Sequence, residues 1–297
     1  MAQSKLAKKV AEALDKFCEH GGMGYIHTIF PENELHLQMS VGRYLEDEGF
    51  LVLYEYHVPA SCIKGSDNPE IYPWRNIDKR NNTNLPQEIY LDLVVYDADT
   101  KEYVPIEIKY KTRDLKDWKM GRYVLGEQMK KVNVLRNQGA QDQGMYGFWK
   151  DVRRVEMVQR AFPKAVKNGI ALFVTNDPLY FQNMKDEDII SESKKDVDYF
   201  NFRMSENRHT KKGECMKWNK KGSKNANKYP AFNLEGEYTV NWNRFGYYDF
   251  ELAPEADPDF YDKEPEFAEI VDLRSFKFAL LNTSRKNWAF CYCMLII

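Results

Sequence analysis

Asp92, Glu107 and Lys109 fall within one stretch, IYLDLVVYDADTKEYVPIEIKYK (89–111), in which charged residues interrupt an otherwise apolar pattern. If the stretch folds back on itself, the two carboxylates face one another, repel, and have raised pKa values unless something positive lies between them. A divalent cation removes that penalty. Mg²⁺ is commonly held by one or two carboxylates together with waters and phosphate oxygens, so an Asp and Glu pair is a minimal site for it, and Mn²⁺ is the natural substitute. A lysine alongside would orient the attacking water or offset charge on phosphorus, and the chemistry would be hydrolysis of a phosphodiester. The ordinary alternative is a solvated hairpin face whose charges pair across the strands for a few tenths of a kcal/mol each.

The register of that hairpin follows from its turn. With ADTK (98–101) as a four-residue turn, Asp97 opposes Glu102, Tyr96 opposes Tyr103, Val94 opposes Pro105 and Asp92 opposes Glu107. Alternation puts Leu91, Leu93, Val95, Val104, Ile106 and Ile108 on one face and Asp92, Glu107 and Lys109 on the other. A one-residue slip would mix the two sets, so the apolar pattern supports the register. Lys111 alternates onto the face of Lys109 but lies farther along, as a phosphate contact or as a surface lysine.

The flanking elements must position these charges. Ser4 reads as the N-cap of an amphipathic first helix (about 4–20) with Leu6, Val10, Leu14 and Phe17 at helical spacing. A second helix begins near Glu34 and presents Leu37, Val41, Tyr44 and Leu45. Glu34 then sits in its first turn, where a carboxylate also suits the helix dipole. FLVLYEYHV (50–58) reads as a strand, and 59–88, rich in Pro, Gly, Asn and Asp, as a long loop excursion. Leu125, Met129, Val132 and Leu135 predict a helix carrying Gln128, and FWKDVRRVEMVQRAF (148–162) predicts another with a Phe148, Val152, Val155 and Val158 stripe. GIALFVTND (169–177) has the continuous apolarity of a buried parallel strand.

Composition narrows the classes without choosing among them. The 297 residues are 43% apolar, enough to bury a full core, and the net charge of −2 offers nucleic acid no global attraction. No leader-like apolar segment and no run of about 18 apolar residues is present, so a cytoplasmic protein without membrane spans is expected. The five cysteines show neither paired CxxC spacing nor an even count and read as reduced, mostly buried thiols. The five histidines show no ligand spacing. The basic run 211–228 holds seven lysines and Trp218. It reads as a flexible insertion (about 205–230), either a plain solvated loop or a track in which Lys217 and Lys220 follow a phosphate backbone while Trp218 stacks on bases. An acidic stretch (249–269) reads as a solvated loop, with two further strand-like runs toward residue 297.

Taken together, the order helix, three strands, helix, strand, with Asp92 and Glu107-x-Lys109 in facing positions, resembles the PD-(D/E)XK nuclease superfamily. FWKDVRRVE followed by ALFVTND also resembles uncharacterised bacterial members of it. The resemblance implies an α/β fold with a restriction-endonuclease-like core (about 30–180), a mixed sheet flanked by helices, and C-terminal strands (about 275–297), all in one nuclease-like domain spanning 1–297. It implies Asp92 and Glu107 as metal ligands for Mg²⁺ or Mn²⁺, Lys109 as the catalytic lysine, Glu34 as an accessory ligand and Gln128 as a supporting polar residue. Leu91 stands where the motif has proline. The implied function is endonucleolytic cleavage, of DNA more than RNA, in restriction or antiviral defence, with a homodimer or a partner defence protein as the assembly. A member that keeps the fold but only binds nucleic acid or protein is the competing expectation. An unrelated α/β interaction protein with incidental hairpin charges is the third.

Overall fold

The computed structural model describes residues 3–22, 25, 31–78, 83–113, 122–124, 127–129, 135–181, 199–219, 224–245 and 290–297. The chain begins with α1 (Lys5–Glu19), capped by the Ser4 side chain, and α2 (Glu34–Asp47), capped by the Asn33 side chain accepting from the His36 N–H. Strand β1 (Leu51–Val58) follows, and the 59–88 excursion contains a hairpin of β2 (Arg75–Asp78) and β3 (Thr83–Pro86). The predicted central hairpin forms β4 (Ile89–Asp97) and β5 (Glu102–Lys111). Next come β6 (Arg122–Val124), β7 (Glu127–Met129), the long helix α3 (Gln141–Ala161), β8 (Ile170–Thr175) and the single turn α4 (Pro178–Phe181). The remainder supplies β9 (Cys215–Met216), α5 (Lys224–Lys228), β10 (Phe232–Asn233), β11 (Trp242–Arg244) and β12 (Cys291–Ile296).

Six strands form one mixed sheet in the order β1-β4-β5-β8-β12-β11. All neighbours are antiparallel except β5 and β8, which are parallel. Helices cover both faces. Leu93, Val95, Val104, Ile106, Ile108 and Tyr110 pack with the apolar stripes of α1 and α2, whereas Val94, Ala171 and Phe173 pack with Phe148, Val152, Val155 and Val158 of α3. Continuous apolarity in β8 is thereby explained, because both of its faces are buried.

The hairpin register is as predicted from Asp97↔Glu102 through Tyr96↔Tyr103 and Val94↔Pro105 to Leu93↔Ile106, but the expected Asp92↔Glu107 pair does not form, because the two strands separate there. One face assignment changes. Leu91 joins Ile89 in the core beneath α3 rather than the face of Leu93. The cause is a kink at the edge of the sheet: Glu55 of β1 has φ 47°, and the register lacks an Asp92 partner there, passing from Tyr54↔Leu93 to Tyr56↔Leu91. Gln38 of α2 fills the kink, its Nε2 donating to Glu55 Oε1 at 2.7 Å and to the Asp92 carbonyl at 2.8 Å.

Other expectations change too. The helix predicted around 125–135 is replaced by the β6–β7 pair, in which Gln128 lies opposite Tyr123, while 125–126 and 130–134 lie outside the described residues. Of the four apolar residues at helical spacing, Met129 lies in β7, where strand pairing overrides the pattern. The basic segment is no loose insertion, because Met216 and Trp218 are core residues and β9 pairs with β10. The residues that follow it are bolted to α3 by Glu156, whose Oε1 accepts from the N–H groups of Glu235 (2.8 Å) and Gly236 (2.7 Å) and from the Tyr238 hydroxyl (2.8 Å), while Oε2 accepts from Arg153 at 3.0 Å. All five cysteines are free, but only Cys18 and Cys293 are buried. Residues 249–269 and 275–289 lie outside the described residues. No helix among the described residues is long and apolar enough to cross a membrane.

Candidate active site

Strands β4 and β5 part company beyond Leu93 and Ile106. From there β4 pairs only with β1, and β5 runs on beside β8. This fork leaves N–H groups of β5 without strand partners, and carboxylates take them. Asp92 Oδ2 accepts from the Ile108 N–H at 2.6 Å, and Glu34 Oε2, from the first turn of α2, accepts from the Tyr110 N–H at 2.9 Å.

Glu107 and Lys109 point from β5 toward α3, which contributes charged residues that the strand pattern did not announce. Asp151 lies 3.0 Å from Lys109 Nζ, and Glu34 Oε1 lies 3.4 Å from it on the other side. Arg154, one turn beyond Asp151, is 3.4 Å from Asp151 Oδ1, 3.6 Å from Glu107 Oε1, and donates to the Tyr90 carbonyl at 3.0 Å. Gly147 faces the same strand, where a Cβ would stand 3.9 Å from Lys109 Cε, so the lysine stem passes close to the helix. Asp151 and Arg154 stand in FWKDVRRVE beside the apolar stripe of α3, three residues from Phe148 and one from Val155 respectively, on the side that meets β5. Periodicity marks such residues only as polar.

Electrostatics separates the carboxylates from ordinary surface charges. Burial is the main cause that pushes the Asp92 carboxyl up to about 6, with Asp151 and Glu34 adding to it while the Ile108 N–H and Lys109 oppose it. Burial likewise holds Glu107 well above the usual carboxylate range, opposed by Arg154 and reinforced by Asp151 and Asp92. Burial alone would favour the neutral amine of Lys109, but Asp151, Glu34 and Asp92 outweigh it and keep the ammonium charged. Lys111 is shifted down, chiefly by burial.

No protein-family model, curated protein or solved structure matches this chain. The geometry must therefore speak for itself. Glu107 is 4% exposed, and its Oε1 has no hydrogen-bond partner, because the Arg154 contact at 3.6 Å is too long for one. A buried, unsatisfied carboxylate oxygen in the same electrostatic field as the half-buried Asp92 is a donor set short of one cation, which is the chemistry a Mg²⁺ or Mn²⁺ ion satisfies. Among the described residues no three His, Cys, Asp or Glu side chains converge as a complete ligand cage. A metal held here would draw on Asp92 and Glu107, and its remaining positions would go to water and substrate oxygens.

Of the nucleic-acid contacts predicted elsewhere, the Trp218 ring is taken up by the core. Trp218 is only 5% exposed, wedged among Phe202 (4.9 Å between ring centroids), Tyr146 and Tyr229, so its ring has no free face for a base. Lys217 is exposed, Lys220 lies outside the described residues, and Gln128 belongs to β7 rather than to a helix beside the site.

Proposed function

We propose that the chain is a Mg²⁺- or Mn²⁺-dependent nuclease that hydrolyses phosphodiester bonds, with DNA the favoured substrate and a restriction-endonuclease-like core as its scaffold. The observation that carries this reading is the orphaned, buried Glu107 Oε1 beside the desolvated Asp92, with the Lys109 ammonium fixed between Asp151 and Glu34. A bound divalent ion would supply Lewis acidity at the scissile phosphate and a water of lowered pKa.

The chain's own residues supply the rest. Asp92 is held at the fork by the Ile108 N–H, and its charge helps to raise the Glu107 carboxyl, so the two groups share one field in which they would serve as ligands. Lys109 is kept protonated and acts as a donor, orienting the attacking water or meeting charge on the phosphoryl oxygens. Glu34 divides its oxygens between the Tyr110 N–H and Lys109, so it aims the lysine, and it would serve as the accessory carboxylate of a bound ion. Asp151 holds the lysine from the opposite side, and Arg154 moderates the repulsion around Glu107.

A second reading draws on the same ion pairs. Lys109 and Arg154 already neutralise part of the acidic cluster, as in a family member that retains the fold as a nucleic-acid or protein-binding subunit. Plasmid, linear and single-stranded DNA and RNA, incubated with Mg²⁺, Mn²⁺ or chelator, decide between the two. Metal-dependent cleavage by the wild type, lost in Asp92→Ala and Lys109→Ala, is expected. Cleavage that survives both substitutions sinks the site, and a wild type inert on every substrate transfers the weight to the binding subunit. Defence against foreign DNA and assembly with a second copy or a partner protein are part of the proposal on the family resemblance alone.

A further inference from the structure

We propose that Arg75 and Lys150, joined through Gln87, form a subsite for a backbone phosphate adjacent to the one that is cut. The inference rests on the nuclease reading for its substrate, but its evidence lies outside the Asp92 and Glu107 pair.

Lys150 precedes Asp151 on α3, so its stem starts beside the catalytic cluster. Its Nζ donates to Gln87 Oε1 at 3.0 Å and lies 5.4 Å from the centroid of the Trp74 ring. Both partners are neutral. Among the described residues no carboxylate pairs with Lys150, whereas on the same helix Arg153 pairs with Glu156 and Glu235, Arg154 with Glu107 and Asp151, and Arg160 with Glu235. Burial, abetted by Arg154 and Lys109 and opposed by Asp151 and Glu107, pushes the Lys150 amine down to about 8. A cation in that condition gains most from an incoming anion.

Arg75 shows the same deficit independently. It opens β2 and pairs with Pro86, next to Gln87, whose backbone N–H donates to the Trp74 carbonyl at 3.0 Å. Its Nε and one Nη are buried with no hydrogen-bond partner among the described residues. A guanidinium with unused parallel N–H groups matches two oxygens of a phosphate. Tyr72 places Arg75 near the site, because its hydroxyl donates to the Gln87 carbonyl at 2.5 Å and feels the positive charge of both Arg154 and Arg75. The β2–β3 hairpin, an addition to the central sheet, thus presents Arg75 while α3 presents Lys150, and Gln87 sets the two elements side by side.

The test separates binding from cutting. A short fluorescent DNA duplex and its single strand are titrated with the full chain in chelator, across a salt series, for the wild type and for Arg75→Gln, Lys150→Gln and Lys150→Arg, with thermal unfolding as the fold check. The expected result is affinity reduced by about tenfold in each glutamine variant, a salt slope lower by about one in each, and near-complete recovery in Lys150→Arg. Asp92→Asn should bind as well as the wild type while failing to cut. Unchanged affinity and slope in both folded glutamine variants, or no binding of either strand form by the wild type, overturns the subsite. Binding that depends on Arg75 and Lys150 in a protein that never cleaves upholds the subsite and defeats hydrolysis. Cleavage with binding indifferent to both residues does the reverse.

Discussion

The Asp92 carboxylate accepts the N–H of Ile108 at 2.6 Å, standing in the ladder where the next residue of a paired strand would be. One side chain therefore does two things. It closes the end of the β4–β5 pairing, and it holds a negative charge inside the sheet fork against Glu107, which a purely structural cap would not require. Asparagine could make the same bond without the charge, so the ionised group is an expense that invites a functional account.

Cation binding is the first consequence. Mg²⁺ or Mn²⁺ should raise the melting temperature of the wild type, with stabilisation of about 2.7 kcal/mol when the ion is present at about 100 times its dissociation constant. Asp92→Asn and Glu107→Gln should be more stable than the wild type without metal and should not respond to it. An equal thermal shift in all three proteins would place the ion elsewhere.

The pH dependence has a definite sign. The Asp92 carboxyl titrates near 6 in the folded chain against an ordinary value of 3.8, so between those values the native state holds more protons than the unfolded one. Stability without metal should then fall as pH rises from about 4 to about 6, and the penalty, at most about 3 kcal/mol for this group, is fully present above that window. Glu107 adds in the same direction. Denaturant titrations at several pH values should show a shallower slope for Asp92→Asn, whereas metal affinity in the wild type should rise across the same window as the ligands lose their protons. A wild type whose stability rises from pH 4 to 6 as steeply as the variant's contradicts the assignment.

Asp151 acts through its neighbours. Asp151→Asn loosens the 3.0 Å contact that orients Lys109, and cleavage should drop by about 10- to 100-fold, the usual effect of removing an outer partner of a metal site. Its charge also raises both Asp92 and Glu107, so the acid limb of the activity profile should move to lower pH. A fall in rate with an unmoved profile would make Asp151 a packing residue only.

Trp218 provides the opposite case. Its burial among Phe202, Tyr146 and Tyr229 predicts that Trp218→Ala costs about 3–5 kcal/mol of stability. Lys217→Ala, at an exposed position, should change stability by less than about 0.5 kcal/mol. Unfolding curves decide it: an unchanged midpoint for Trp218→Ala together with weaker oligonucleotide binding would restore the ring as a stacking surface.

What the sequence determined by itself was local and alternating. Strand period and turn length set which residues of β4 and β5 oppose one another, and placed Glu107 and Lys109 away from Ile106 and Ile108 before any fold was known. The start of α2 at Glu34 was equally legible, because capping is a contact between near neighbours in the chain. The tertiary structure decided the rest. Whether Leu91 follows Leu93 depended on a kink enforced by Gln38 from another element, and the helix expected around Gln128 yielded to strand pairing. The fate of Trp218 depended on Glu156 drawing the segment that follows it onto α3. The partners of Lys109 and Glu107 came from the approach of α3 to β5, which is set by the packing of Phe148, Val152 and Val155 on Val94, Ala171 and Phe173. Periodicity reports which residues avoid water. It carries no information about which charge will meet which across a core.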